Sequence, residues 1–176
     1  EYIPLSRNIL HVIIAASYQP VKNPMGLLRA LESLKKTGHI NIRIEWFGEK
    51  NVTDGGTKLY DLATEFIREH QLEDLIRLNG PSKEIAEEMN QSDIIGLFSR
   101  VEGLPNGICE GMMLGKPIFM TKISDFDILV SNSNGWLCDW DNPENIASQF
   151  RKAMQLKSEE LLRLGKNSRS KAMNLF

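Results

Sequence analysis

Cysteine is scarce in this sequence. Cys109 and Cys138 are the two in 176 residues, and they do not form a Cys-x-x-Cys pair. That excludes a disulfide scaffold and a zinc ribbon, and both thiols are expected to be small buried groups in a reducing compartment. The three histidines, His11, His39 and His70, are scattered without metal-ligand spacing. An excess of one charge is missing as well. The formal net charge is −2, and no basic run offers an electrostatic grip on nucleic acid. No apolar run approaches the roughly 18 residues that span a membrane. The chain begins Glu-Tyr-Ile-Pro-Leu-Ser-Arg, without Met or a signal-peptide pattern, and reads as an internal cut in a longer protein. The segment Ala15-Ala16-Ser17-Tyr18-Gln19-Pro20 lacks the Gly-x-Gly-x-x-Gly of a dinucleotide-binding oxidoreductase.

What is present is a regular alternation of short apolar runs with helical patterns, the signature of βαβ units. Strands are predicted at Ile9 to Ala16, Ile42 to Phe47, Ile76 to Leu78, Asp93 to Phe98, Lys116 to Thr121 and Trp136 to Cys138. A helix opens at Pro24, carries Leu27, Leu28, Leu31 and Leu34 on one stripe, and stops at Gly38. Gly48 to Gly56 reads as a polar loop. An amphipathic helix carries Leu59, Leu62, Phe66 and Ile67. Ser82 is placed as the cap of a helix turning Ile85, Ala86 and Met89 inward. Further helices are predicted at Pro105 to Leu114 and Pro143 to Met154. A last one is capped by Ser158 and carries Leu161, Leu162 and Leu164. The whole chain reads as one doubly wound α/β domain with a parallel, Rossmann-like sheet of about six strands. Such sheets bind ligands beyond the carboxyl ends of their strands.

The chemistry concentrates after the fourth strand, in Ser99-Arg100-Val101-Glu102-Gly103-Leu104-Pro105-Asn106-Gly107-Ile108-Cys109-Glu110-Gly111-Met112-Met113-Leu114-Gly115. Glu110 is the only charged residue from 103 to 115. Its neighbours Ile108, Cys109, Met112, Met113 and Leu114 predict a helix buried on most sides, where a carboxylate needs a partner. The helix start near Asn106 and Gly107 presents free N–H groups and the positive end of a dipole, a seat for phosphate. A carboxylate farther along can accept from two vicinal hydroxyls. Spacing alone leaves Glu110 open as a solvated or internally paired side chain, Glu102 as an exposed loop residue and Lys22 as a solvated lysine.

Glu102, seven intervening residues and Glu110, set between a strand ending in Ser99 and Gly115-Lys116-Pro117-Ile118, resemble the family-four retaining glycosyltransferases of the GT-B fold. Ser92-Asp93-Ile94 and the late turn Asn134-Gly135-Trp136-Leu137 extend the resemblance to nearly the whole chain. It implies one half of a GT-B fold: residues 1–176 as the C-terminal, nucleotide-sugar-binding domain, with the N-terminal acceptor domain absent.

The resemblance also implies roles. Glu110 grips the donor ribose, and Glu102 lies near the donor sugar and phosphate. The amides of Gly103, Leu104, Asn106 and Gly107 line the diphosphate and sugar. Lys22 matches the lysine of the family's basic clamp, while Ser17 stands where its arginine is expected. Gly48 represents, with Glu49, part of a glycine-rich loop. The turn Gly80-Pro81 matches the place where the base packs. The implied reaction passes a sugar from a UDP- or GDP-type donor to an acceptor hydroxyl with retention, without metal or cofactor, and the leaving phosphate assists the incoming hydroxyl. The implied acceptor is a saccharide or lipid-linked molecule held through the other domain, so this chain alone is expected to be inactive. The expected location is cytoplasmic, with the full-length protein peripheral to the inner face of a membrane. A GT-B-like scaffold without activity and a nucleotide-sugar epimerase share the same fold and stay open.

Overall fold

The computed structural model describes residues 9–38, 40–51 and 57–176. The N-terminal Glu-Tyr-Ile-Pro-Leu-Ser-Arg, His39 and the later part of the predicted polar loop lie outside them. Six strands form one parallel sheet: β1 (Leu10–Ala15), β2 (Ile42–Phe47), β3 (Ile76–Asn79), β4 (Ile94–Leu97), β5 (Ile118–Thr121) and β6 (Gly135–Cys138). Their order across the sheet is β3-β2-β1-β4-β5-β6, and every neighbouring pair is parallel. The helices are α1 (Pro24–Lys36), α2 (Lys58–Glu69), α3 (Ile85–Gln91), α4 (Asn106–Met113), α5 (Phe126–Leu129), α6 (Pro143–Met154) and α7 (Ser158–Leu175). A 3-10 turn, Pro20–Lys22, precedes α1.

The side-chain period of two divides the core by sheet face. Leu10, Val12 and Ile14 of β1 and Ile42, Ile44 and Trp46 of β2 pack with the leucine stripe of α1 and with Ile146 and Phe150 of α6. On the other face Ile13, Ile95, Leu97, Ile118 and Met120 pack with Met89 of α3 and with Ile108 and Met112 of α4. Each such side chain contributes roughly 1.5–3 kcal/mol when fully buried. All four residues of β4 are buried because helices cover it on both sides.

Helix starts were the weaker part of the sequence reading. Asn142 caps α6, its side chain accepting from the Asn145 amide. Ser82 does not cap α3. Glu84 precedes that helix, and Ser82 Oγ accepts from the Glu84 amide instead. Ser158 is the first residue of α7 rather than its cap, and Lys157 donates its amide to Glu160. Leu62 and Ala86, expected to face inward, are exposed.

The order of strands reverses between β1 and β4: chain segments leave β1 toward β2 and leave β4 toward β5. Loops diverge from such a point and open a crevice at the carboxyl ends of the two strands.

Candidate functional site

The crevice is real. A cavity of about 170 Å³ is lined by Ala15 at the end of β1, Gly96 and Leu97 in β4, Lys22 and Glu102 from the two loops, and Leu104 to Ile108 at the start of α4. Enclosing pockets for drug-sized molecules run to about 300–1,000 Å³. This one is smaller, with room for a group of phosphate size.

Two residues far apart in sequence meet across it. Lys22 Nζ donates to Glu102 Oε1 at 2.6 Å. Ser99 Oγ donates to the same oxygen at 2.5 Å. The Lys22 and Glu102 side chains keep 21% and 11% of their surface exposed, so the pair is mostly withdrawn from water without being sealed. Lys22 ends the 3-10 turn, and Asn23 then takes a left-handed backbone (φ 60°) before Pro24 starts α1. Asn tolerates that conformation, which is disfavoured for most side chains. The buried Asn23 amide donates to the Trp140 carbonyl, and the Arg100 amide donates to the Val21 carbonyl at 2.7 Å. The loops after β1, β4 and β6 are thereby stitched together. Arg100 also stacks over the Trp140 ring, 5.2 Å from its centroid.

At the start of α4, Pro105 precedes the helix without a side-chain cap. The expectation of free amides at both Asn106 and Gly107 needs correction. Asn106 donates to the Leu104 carbonyl, and Ile108 and Cys109 both donate to that of Pro105. The Gly107 amide alone of these four has no partner among the described residues. A Cβ at Gly107 would lie 3.4 Å from the Ala15 carbonyl oxygen, so the helix start sits close against the end of β1.

α4 is not buried on most sides. Ile108, Gly111 and Met112 are buried, whereas Asn106, Glu110 and Met113 face out. Glu110 is exposed, makes no hydrogen bond or ion pair among the described residues, and does not line the cavity. A run without charges reads as buried all round, but the helix is half exposed. Cys109 is likewise half-buried, not buried. Its thiol is raised by burial and further by the neighbouring Glu110 carboxylate. Cys138 is fully buried, and burial raises its thiol strongly.

Ser17, Gly48, Pro81 and Gly103 lie outside the cavity lining. Ser17 is half-buried in the loop after β1. Gly48 has a packing reason of its own: a Cβ there would fall 1.9 Å from the Ala16 carbonyl oxygen, so only glycine lets the two loops touch. Pro81 is exposed beyond β3, at the outer edge of the sheet. Gly103 is open, its carbonyl accepting from Ser124 Oγ at 2.6 Å. Leu104 lines the cavity and is 61% exposed. Ser124 and Asn23 were not singled out from the sequence, and Ser99 was named only as a strand end, without a site role. A hydroxyl immediately after an apolar strand was the available signal for Ser99.

A colanic acid biosynthesis glycosyltransferase of Escherichia coli (WcaL), so named provisionally, is 29% identical over 119 residues, 62% of this chain and 29% of that protein. The HepE protein of Anabaena, solved with UDP and glucose, superposes with a TM-score of 0.82 at 18% identity over 95% of this chain and 44% of its own. The C-terminal domain of a group 1 glycosyl transferase (LpcC) of Francisella tularensis superposes with a TM-score of 0.80 at 18% identity, covering 94% of this chain and 85% of its own. The chain thus spans about a third of its curated relative, and its fold is one half of the GT-B architecture. The family model for glycosyl transferases group 1 matches residues 7–171, and the chain belongs to that family.

Proposed function

We propose that this chain is the C-terminal, donor-binding domain of a GT-B glycosyltransferase that passes a sugar from a UDP- or GDP-sugar to an acceptor hydroxyl with retention. The observation that carries the proposal is the meeting of Lys22, Glu102 and the Gly107 amide in one cavity at the β1/β4 crevice. A diphosphate seated there meets an ammonium and the positive end of a helix, which offset the charge that develops on the leaving group. Glu102 Oε1 is occupied by two donors, so its other oxygen is the one left to meet sugar hydroxyls. Glu110 stands one helical turn past Asn106 on the same open face, and in this reading it accepts from the ribose. Among the described residues Glu102 is the only carboxylate lining the cavity, and it is held by Lys22 and Ser99. That favours the leaving phosphate as the group that takes the acceptor's proton. The small cavity accords with a site completed by a second domain, which would hold the saccharide or lipid-linked acceptor. The relative named for colanic acid biosynthesis supports polysaccharide assembly, and we assign that work to the cytoplasm at the inner face of a membrane.

Thermal shift of this chain with UDP, GDP, UDP-glucose, GDP-mannose and NADH tests the reading. A ligand at a hundred times its Kd adds about 2.7 kcal/mol, a rise of about 5–10 °C for a chain of this size. A rise with a nucleoside diphosphate and none with NADH is expected. Stabilisation by NADH alone, or by none of the five at millimolar concentration, would overturn it. Ser17 in place of arginine favours a second reading, a binding scaffold without turnover. A longer parent protein that binds the donor yet transfers no sugar would establish that one.

A further inference from the structure

We infer that Ser99 is a positioning residue that presets the Glu102 carboxylate before any donor arrives; this rests on the reading of the cavity as a nucleotide-sugar seat. Ser99 stands two residues past the end of β4 and is fully buried. Its backbone carbonyl accepts from Thr121 Oγ1 at 2.6 Å, and Thr121, the last residue of β5, is fully buried too. The serine is therefore fixed to the carboxyl ends of two central strands. Its hydroxyl spends its proton on Glu102 Oε1 at 2.5 Å, the length of a charge-assisted O–H···O⁻ bond.

The spacing Ser99-x-x-Glu102 would make a capping box at a helix start, but no helix begins until Asn106. The bond runs to the carboxylate instead of the backbone. Between the two residues, and just after them, Arg100, Val101, Gly103 and Leu104 are all exposed, so the loop itself offers Glu102 little support. Lys22 is the other anchor, and it is a long side chain with many rotamers. Ser99 is the rigid one. Holding one oxygen toward the sheet and Lys22 leaves the second oxygen facing outward, which saves the donor the cost of ordering that side chain.

The test uses Ser99→Ala and Ser99→Cys, the latter keeping the volume with only a weak donor, alone and combined with Glu102→Ala. In the ligand-free protein the side-chain carboxyl carbon of Glu102 is followed by NMR. Affinities for UDP-glucose, GDP-mannose, UMP and GMP are measured by calorimetry. Both Ser99 variants are expected to shift the Glu102 carboxyl resonance. They should weaken the nucleotide sugar by about five- to tenfold, leave the nucleoside monophosphates unchanged, and add nothing once Glu102 is Ala. An unmoved Glu102 resonance overturns the inference. So does a loss that persists in full in the Glu102→Ala background, because a merely structural serine acts independently of that carboxylate. If the wild type binds neither nucleotide sugar, the donor reading fails, and the carboxyl resonance still decides whether Ser99 positions Glu102.

Discussion

Glu102 and Glu110 serve the same edge of the sheet from opposite circumstances. Glu102 sits in an exposed loop, yet its carboxylate is 11% exposed and held by Lys22 and Ser99. Glu110 sits on a regular helix, yet its side chain is exposed and unpaired among the described residues. Local structure would suggest the reverse, a mobile loop carboxylate and a fixed helical one. On the donor-site reading proposed above, the difference lies in what each group must do before a ligand binds. A carboxylate beside a diphosphate seat repels it unless a cation shares the oxygen, so Glu102 needs Lys22 in place. A carboxylate that accepts from neutral hydroxyls needs only to be reachable, and water serves Glu110 until then.

The largest effect that sharpens this contrast is expected from Lys22→Met. It removes the cation of the cavity and leaves the Glu102 charge behind to repel phosphate. Affinity for nucleoside diphosphates should fall about a hundredfold or more. Stability should fall by about 1–3 kcal/mol, because a mostly withdrawn carboxylate loses its counter-charge while residual exposure limits the cost. Calorimetry and thermal melts on the same protein check both. Undiminished diphosphate affinity would remove Lys22 from the donor site.

Glu110→Gln is expected to separate the two properties. The residue is exposed and has no partner among the described residues, so the melting temperature should stay within about 1 °C of wild type. A hydrogen bond to a charged acceptor contributes roughly 1.5–3 kcal/mol, so nucleotide affinity should drop by about one to two orders of magnitude. A deoxyribose nucleotide should be nearly indifferent to the substitution. Equal losses for ribo- and deoxyribonucleotides would show that Glu110 does not grip the ribose.

Much of the fold was legible in the sequence, and the failures have causes. β2 alternates Ile42, Ile44 and Trp46 with Arg43 and Glu45, and its bounds were read without error because one face is polar. β5 was started two residues early. Lys116 looked like a strand residue, but it is fully buried and donates to the carbonyls of Asn90 and Ser92 at 2.5 and 2.9 Å, at the carboxyl end of α3. The site was half legible. The contact of Lys22 with Glu102 spans 80 residues and arises from where the strand order reverses, which no local pattern encodes. In α4 the apolar composition concealed which face stays open. Gly111 marks a close approach of α4 to β4: a Cβ there would meet Ile95 side-chain atoms at 2.7–3.1 Å. Gly111→Ala should therefore push α4 off β4 and cost about 1–3 kcal/mol by overpacking. Gly103→Ala, with nothing within 4 Å of its Cβ, should be near neutral. Denaturant melts compare the two, and equal stability would mean that α4 has slack against the sheet.

The smallest effect reports on Glu110 from its neighbour. Cys109 precedes it on α4 and is half-buried, and its thiol is raised first by burial and then by the Glu110 carboxylate. Both causes keep the thiol protonated, and the thiolate is the species that alkylates. Taking away the Glu110 charge in Glu110→Gln removes one of them, so the thiol's pKa falls and more thiolate is present at pH 8. Two groups that interact largely through solvent change each other by only a few tenths of a kcal/mol, so alkylation by iodoacetamide should speed up by about twofold. Cys138 is fully buried in the same protein and should stay slow, so the rate belongs to one residue. A bound ribonucleotide should then slow the reaction of wild-type Cys109, because a ligand gripping Glu110 covers the open face of α4. A deoxyribonucleotide at equal occupancy tests how much of that cover comes from the sugar hydroxyl. If saturating ribonucleotide leaves the rate of Cys109 unchanged while Lys22→Met still abolishes binding, the ligand stops at the cavity and the two carboxylates do not share one donor.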